Sequence, residues 1–236
     1  MEIWVLTHGF LPLVQWNIMF EVDLDKPQET GIACPDDQPG EVIISADTRR
    51  ANRIPPGQSR TRKWPVLDAS GPPRLSRDQW ELAVWGLVRN PMKWNWKEFL
   101  ELPRVKVFAD FHCVTTWSRL GNTWEGVSTR KIVGLCGGLK QEARFVLAHG
   151  YDHGWTANLP VESFLSEDAL VAFSHDGEEI ASPHGGPARL IVPLLYAWKS
   201  AKWLGGLEFL AEDKAGFWER NGYHMHGDPW SEERFR

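Results

Sequence analysis

Between Trp80 and Leu210 the apolar residues fall into short, often alternating runs, separated by turn-forming stretches. Alternation with a period of two puts one apolar face on a strand, so this patterning specifies many short strands rather than long helices. Trp80, Leu82 and Val84 alternate with polar or small residues, and Val105, Val107 and Ala109 alternate again. Ala143 to Ala148 and Leu190 to Leu195 are further apolar runs, and Trp203 to Leu210 predicts another strand. Leu170 to Phe173 and Glu178 to Ile180 flank Asp176-Gly177, a hairpin signature. Asn95 with Glu98 three residues later forms a capping box, which predicts a short helix ended by Pro103. Residues 51–75 carry prolines and glycines that exclude a helix, and the cluster Trp64-Pro65-Val66-Leu67 implies a packed loop. The expectation is an α+β domain with mixed or antiparallel sheets and short helices. It spans residues 41–236 and follows an N-terminal arm, residues 1–40, of uncertain order.

Charge and composition narrow the partners. The net charge is −5 with no long basic run, which argues against generic nucleic-acid binding, because that rests on neutralising phosphates. No apolar stretch reaches the roughly 18 residues of a membrane span. The N-terminal segment is apolar but interrupted by His8, Pro12, Gln15 and Asn17, without a basic leader, and Arg49-Arg50 has no apolar run behind it. Three cysteines, Cys34, Cys113 and Cys136, are too few and too irregular for a disulfide framework. A cytoplasmic location is expected. Fourteen tryptophans suit a packed core and equally a pocket around a bulky ligand.

Three segments carry chemistry. In DFHCVTTWS, Cys113 leaves a strand and enters a turn beside His112. It can pack as a small hydrophobe, act as a nucleophile, or ligate a metal, although adjacent strand residues point to opposite faces. No second cysteine stands at zinc-ligand spacing, so a single soft thiolate suits a metal whose other ligands come from a cofactor. In HGGPARLIVPLLYAWKSAKW, a glycine-rich turn is followed by Arg189, Lys199, Ser200 and Lys202, a set able to hold a phosphate or simply to lie solvated at an edge. In NGYHMHGDPW, Tyr223 can donate a proton or a hydrogen bond, and His224 and His226 would share a face if the segment were a strand.

Taken in order, RIPPGQ with WPVL, DFHCVTTWS with NTWEGV, GYDHGWTANLP, HGGPARLIVP with WKSAKW, and GYHMHGDPW resemble the molybdopterin-binding domain of the sulfite oxidase family. They are most similar to its bacterial stand-alone, sulfite oxidase-like oxidoreductases. The likeness runs from Ile43 to Trp230. It implies the sulfite-oxidase-type fold and molybdenum bound through molybdopterin, with Cys113 as metal ligand. His184 and Arg189 would contact the pterin, and Ser200 and Lys202 would hold its phosphate. Asn52 and Arg53 would meet the cofactor from the N-terminal side, Asp152 would contact the pterin, and His149 would face the same pocket. Tyr223 would stand near the metal, with Arg53 or Arg119 gripping an anionic substrate. The implied activity is two-electron oxygen-atom chemistry on a small oxyanion or sulfoxide-like molecule. Where sulfite oxidases place an oxyanion-gripping arginine this chain has Ala51, flanked by Arg50 and Arg53, which puts sulfite itself in doubt. Neither the family's C-terminal dimerisation domain nor a haem motif is evident, which implies a monomer served by a separate electron-transfer protein. The competing readings are a non-catalytic binding module that keeps the fold and a zinc hydrolase built on His112, His224 and His226.

Overall fold

The computed structural model describes residues 42–235. The proposed arm, residues 1–40, lies outside the described residues. The described chain forms two sheets bridged by an apolar core. The larger sheet contains β1 (Val42–Ile44), β5 (Val105–Cys113), β6 (Trp117–Ser128), β9 (Leu170–His175) and β10 (Glu178–Glu179) in that spatial order. β2 (Ser59–Thr61) adds to β6, and β11 (Arg189–Ile191) adds to β9. The smaller sheet runs β4 (Met92–Asn95), β3 (Glu81–Gly86), β12 (Leu204–Leu210), β7 (Phe145–Gly150), β8 (Thr156–Pro160). Both sheets are mixed: β1 on β5, β2 on β6 and β12 on β3 are parallel, and the remaining pairs are antiparallel.

The sequence periodicity explains how the layers meet. Leu82 and Val84 of β3, Val127 of β6, Val171 of β9 and Leu207 of β12 are all buried in one cluster drawn from both sheets. The short helix α2 (Thr129–Leu135) inserts Ile132 and Val133 into the same core. Helix α1 (Trp96–Leu100) starts where the capping box places it: Asn95 Oδ1 accepts from the Glu98 N–H, and the Glu98 carboxylate accepts from the Asn95 N–H. The hairpin at Asp176-Gly177 joins β9 to β10 as expected. The apolar run 190–195 departs from expectation, since only its first residues pair, as β11 on β9, before the chain turns. Several elements without clean alternation were not legible in sequence, among them β1, β2, β4, the twelve residues of β6, α2 and β8.

A register shift between Ala109 and Phe111 breaks the β5–β6 ladder at Asp110. The buried Asp110 carboxylate accepts from the Gly121 N–H at 2.8 Å and from Arg53 at 2.6 and 2.8 Å. Bulges of this kind re-aim side chains beside functional sites. Just beyond it β5 ends at Cys113.

Candidate active site

One cavity of about 230 Å³ lies at the end of β5. Its lining includes Cys113, Asp152, Arg189, Ser200, Lys202 and Tyr223, together with tryptophans 64, 117, 155, 198, 203 and 218. Six of the side chains singled out in the sequence therefore converge from segments more than 100 residues apart.

The turn after β5 fixes the thiol. The Thr116 N–H donates to the Cys113 carbonyl at 3.0 Å, and Thr116 takes a positive φ of 71°. Gln58 Nε2 donates to the same carbonyl at 3.0 Å, and Thr115 Oγ1 lies 3.2 Å from the sulfur. Burial pushes the Cys113 thiol up in pKa, opposed by the Thr115 hydroxyl and by the charges of Arg234 and Lys202. His112, its neighbour, is fully buried and bonds Ser118 at 2.8 Å. Pleating separates the pair, since His112 does not line the cavity that Cys113 lines. A cysteine–histidine nucleophile is not assembled.

The cationic part of the site comes from β11 and the turns around it. Arg189 is fully buried, and its guanidinium donates to the carbonyls of His184 at 2.7 Å and Ser200 at 2.8 Å. Among the described residues no carboxylate pairs with it. Burial alone drives its pKa down to about 9. The Ser200 hydroxyl accepts from the Val192 N–H at 3.0 Å, leaving its own proton to donate. Lys202 donates to the Pro183 carbonyl at 2.9 Å and sits 3.8 Å from Asp68. Burial, then the nearby Arg189 charge, lower Lys202 to about 8. Gly185 holds φ +100° with its α-carbon against Lys202, where an added Cβ would stand 2.8 Å from the lysine Cβ. Asp152 is raised to about 6 by burial.

Aromatic walls complete the cavity. Trp64 stacks on His184, with ring centroids 3.8 Å apart and planes within 13°, and Arg189 lies 5.7 Å from the Trp64 ring. His184 therefore reaches the cavity through Trp64 and does not line it. Its pKa is lowered to about 4 by burial and by Arg189, which keeps it neutral, and among the described residues its buried Nδ1 has no hydrogen-bond partner. Tyr223 stacks on Trp218 at 4.9 Å and meets Trp198 edge-on at 5.1 Å. Burial and the neighbouring Cys113 raise its hydroxyl pKa.

The other residues singled out in the sequence lie elsewhere. Arg53 is engaged by Asp110. Arg119 pairs with Asp176 at 2.6 Å and bonds Asn122 and His175. Asn52 accepts from the Ile54 N–H, and His149 bonds Glu208 at 3.1 Å against the Trp85 ring. None of the four lines the cavity. Lys199, read as a cation beside the phosphate, is instead fully buried, 2.6 Å from Glu219 and bonded to Asn158 and the Met225 carbonyl. The zinc arrangement is not formed either. His224 and His226 lie in a bend and share Glu233, and among the described residues no group of three or more His, Cys, Asp or Glu is placed to hold a metal. Sequence reasoning missed Asp68, Gln58, Trp198 and Trp218. Gln58 and Trp198 lie within quoted motifs and Trp218 had only the abundance of tryptophan as its signal, because nothing local marks which side chains face a cavity.

Comparison with known proteins agrees with this geometry. The family described as "Oxidoreductase molybdopterin binding domain" matches residues 69–218. The chain is 46% identical over 187 residues to "Uncharacterized oxidoreductase YuiH" of Bacillus subtilis, covering 79% of this chain and 93% of that protein. It is 25% identical to the sulfite oxidase of Arabidopsis thaliana, covering 62% of this chain and 46% of that one. Its fold is similar to the sulfane dehydrogenase SoxCD of Paracoccus pantotrophus, with a TM-score of 0.56 and 25% identity over 61% of this chain and 41% of that one. The chain thus spans less than half the length of the last two. Given the match over most of its length, the chain belongs to the oxidoreductase molybdopterin-binding domain family and is a molybdenum–molybdopterin oxidoreductase of sulfite oxidase type.

Proposed function

We propose that Cys113 is the protein ligand to molybdenum and that the enzyme performs two-electron oxygen-atom chemistry on a small oxyanion or sulfoxide-like substrate. The observation that carries this reading is one cavity holding both the Cys113 thiol and the Arg189–Ser200–Lys202 cradle. The residues fit the group. Among the described residues Arg189 is a buried cation lacking a counter-ion, and a bound phosphate would relieve the cost of that desolvated charge. The Nε1 of Trp117, buried on the cavity wall and unpartnered among the described residues, offers a further hydrogen bond to a polar ring system.

When bound, the cofactor supplies the redox couple and the oxygen-atom exchange; the chain positions and insulates it. Arg189 has guanidinium protons left after its three carbonyl bonds, Ser200 offers a hydroxyl proton, and Lys202 offers a charged donor, so together they hold the phosphate. Cys113, pinned by Gln58 and the Thr116 turn, presents a single sulfur in fixed geometry. Tyr223, held by Trp218 and Trp198, stays protonated and donates to an oxygen of the substrate. The tryptophan walls exclude water and so strengthen each polar contact inside. Arg53 and Arg119, already neutralised by Asp110 and Asp176, are not part of this proposal.

Among the described residues no helix is long and apolar enough to cross a membrane. We read the protein as a cytoplasmic monomer that exchanges electrons with a separate protein; light scattering of the purified chain checks the monomer. Metal and pterin analysis tests the central reading. Protein from a molybdopterin-producing host should carry equimolar molybdenum and a fluorescent pterin. Well-folded protein with neither would reject it. Assays of the loaded enzyme with sulfite and with methionine sulfoxide, each against a redox dye, decide the direction.

A further inference from the structure

We propose that the strap from Arg60 to Leu67 is a docking surface for a small acidic electron-carrier protein. The inference rests on the redox reading above and names its partner class. The strap is two-sided. Trp64 and Leu67 line the cavity, yet Leu67 is 48% exposed and Val66 is 47% exposed. One short segment is therefore both inner wall and outer surface of the site. The exposed side is cationic: Arg60, Arg62 and Lys63 are all exposed, and among the described residues none of them pairs with a carboxylate. The nearest carboxylate along the chain, Asp68, is turned inward, accepting from the Gly71 N–H at 2.6 Å and lying 3.8 Å from Lys202. Arg62 and Leu67 are five residues apart, so even an extended chain keeps them within roughly 18 Å.

Three exposed cations that pair with no carboxylate among the described residues flank the exposed aliphatic side chains of Val66 and Leu67. An acidic partner is attracted to this strap, which orients encounter as well as speeding it. A small apolar contact with a charged rim suits a transient redox encounter. Three cations are too few for nucleic acid, and an extended strap lacks the amphipathic helix that lies on membranes. Each encounter passes one electron, so two carriers balance the two-electron change at the metal. Each carrier is oxidised by one electron when the substrate is reduced, and reduced by one electron in the opposite direction.

Stopped-flow mixing of oxidised holoenzyme with a reduced flavodoxin, an acidic carrier, tests this without a known substrate. Reduced methyl viologen, small enough to need no docking, runs in parallel. The flavodoxin rate should fall with added salt, and the R62E/K63E variant should lower it about tenfold at low ionic strength. Val66→Asp should lower it as well, and viologen oxidation should hold within about twofold of the wild type. An unchanged flavodoxin rate in R62E/K63E, with viologen still oxidised, overturns the docking surface and leaves the redox reading standing. Failure of the holoenzyme to oxidise either reductant overturns both. Salt-sensitive sedimentation with phosphatidylserine vesicles that R62E/K63E abolishes, with no effect on the flavodoxin rate, reassigns the strap to a membrane and overturns the proposal.

Discussion

Lys202, in its proposed role on the phosphate, would tie cofactor binding to pH through a single charge. Its folded value of about 8 lies below the ordinary 10.5, because burial and Arg189 disfavour the ammonium. Between these two values the unfolded chain binds more protons than the folded one, so cofactor-free protein gains stability as pH rises from about 8 to 10.5. Lys202→Met should remove that gain in denaturation curves measured across the window. A bound phosphate restores the charged form, so the loaded enzyme should show a flatter dependence and lose its phosphate contact only at higher pH. At Cys113 the prediction concerns activity. Cys113→Ser replaces a soft sulfur with a hard oxygen, so turnover should fall below detection while pterin stays bound through Arg189, Ser200 and Lys202. Unchanged turnover would remove Cys113 from the metal.

At the scale of elements, two turns hold the site and each rests on an unusual residue. Helix α3 (Phe217–Arg220) carries Trp218 and leads into Tyr223. Its Glu219 accepts from Trp198 Nε1 at 2.8 Å and pairs with Lys199, so one buried carboxylate joins two cavity walls. Glu219→Gln leaves the Lys199 ammonium buried without its counter-charge and should cost about 3–5 kcal/mol in urea unfolding. It should also shift the near-ultraviolet signal of the tryptophans around Tyr223. The Gly185 turn is the second device. Gly185→Ala meets Lys202 at 2.8 Å in a left-handed backbone, at a cost on the order of 1–3 kcal/mol. The damage should appear first as pterin lost on gel filtration, because the displaced residue is the cation proposed to hold the phosphate.

For the whole molecule, two mixed sheets share one apolar core, and the cavity gathers residues from loops on both. A ligand held by such a cavity binds the folded chain and not the unfolded one. At a free concentration 100 times its dissociation constant it adds about 2.7 kcal/mol. Scanning calorimetry should therefore show cofactor-free protein melting well below the loaded form. Millimolar inorganic phosphate should recover part of the difference in wild type and none in Arg189→Met.

The amino-acid order alone determined the strands with clean alternation, the capped start of α1, the hairpin at Asp176-Gly177 and the α+β class, because these depend on periodicity and on contacts a few residues apart. It also marked Cys113, Arg189, Ser200, Lys202 and Tyr223 as a set, through motifs in a fixed order. Only the tertiary structure decided which cations are free to bind. Lys199, Arg53 and Arg119 look as available in sequence as Arg189 and Lys202, yet they meet Glu219, Asp110 and Asp176 across separations of 20, 57 and 57 residues. A charge's role is set by the partner folding brings to it, and that partner lies beyond the reach of any local pattern.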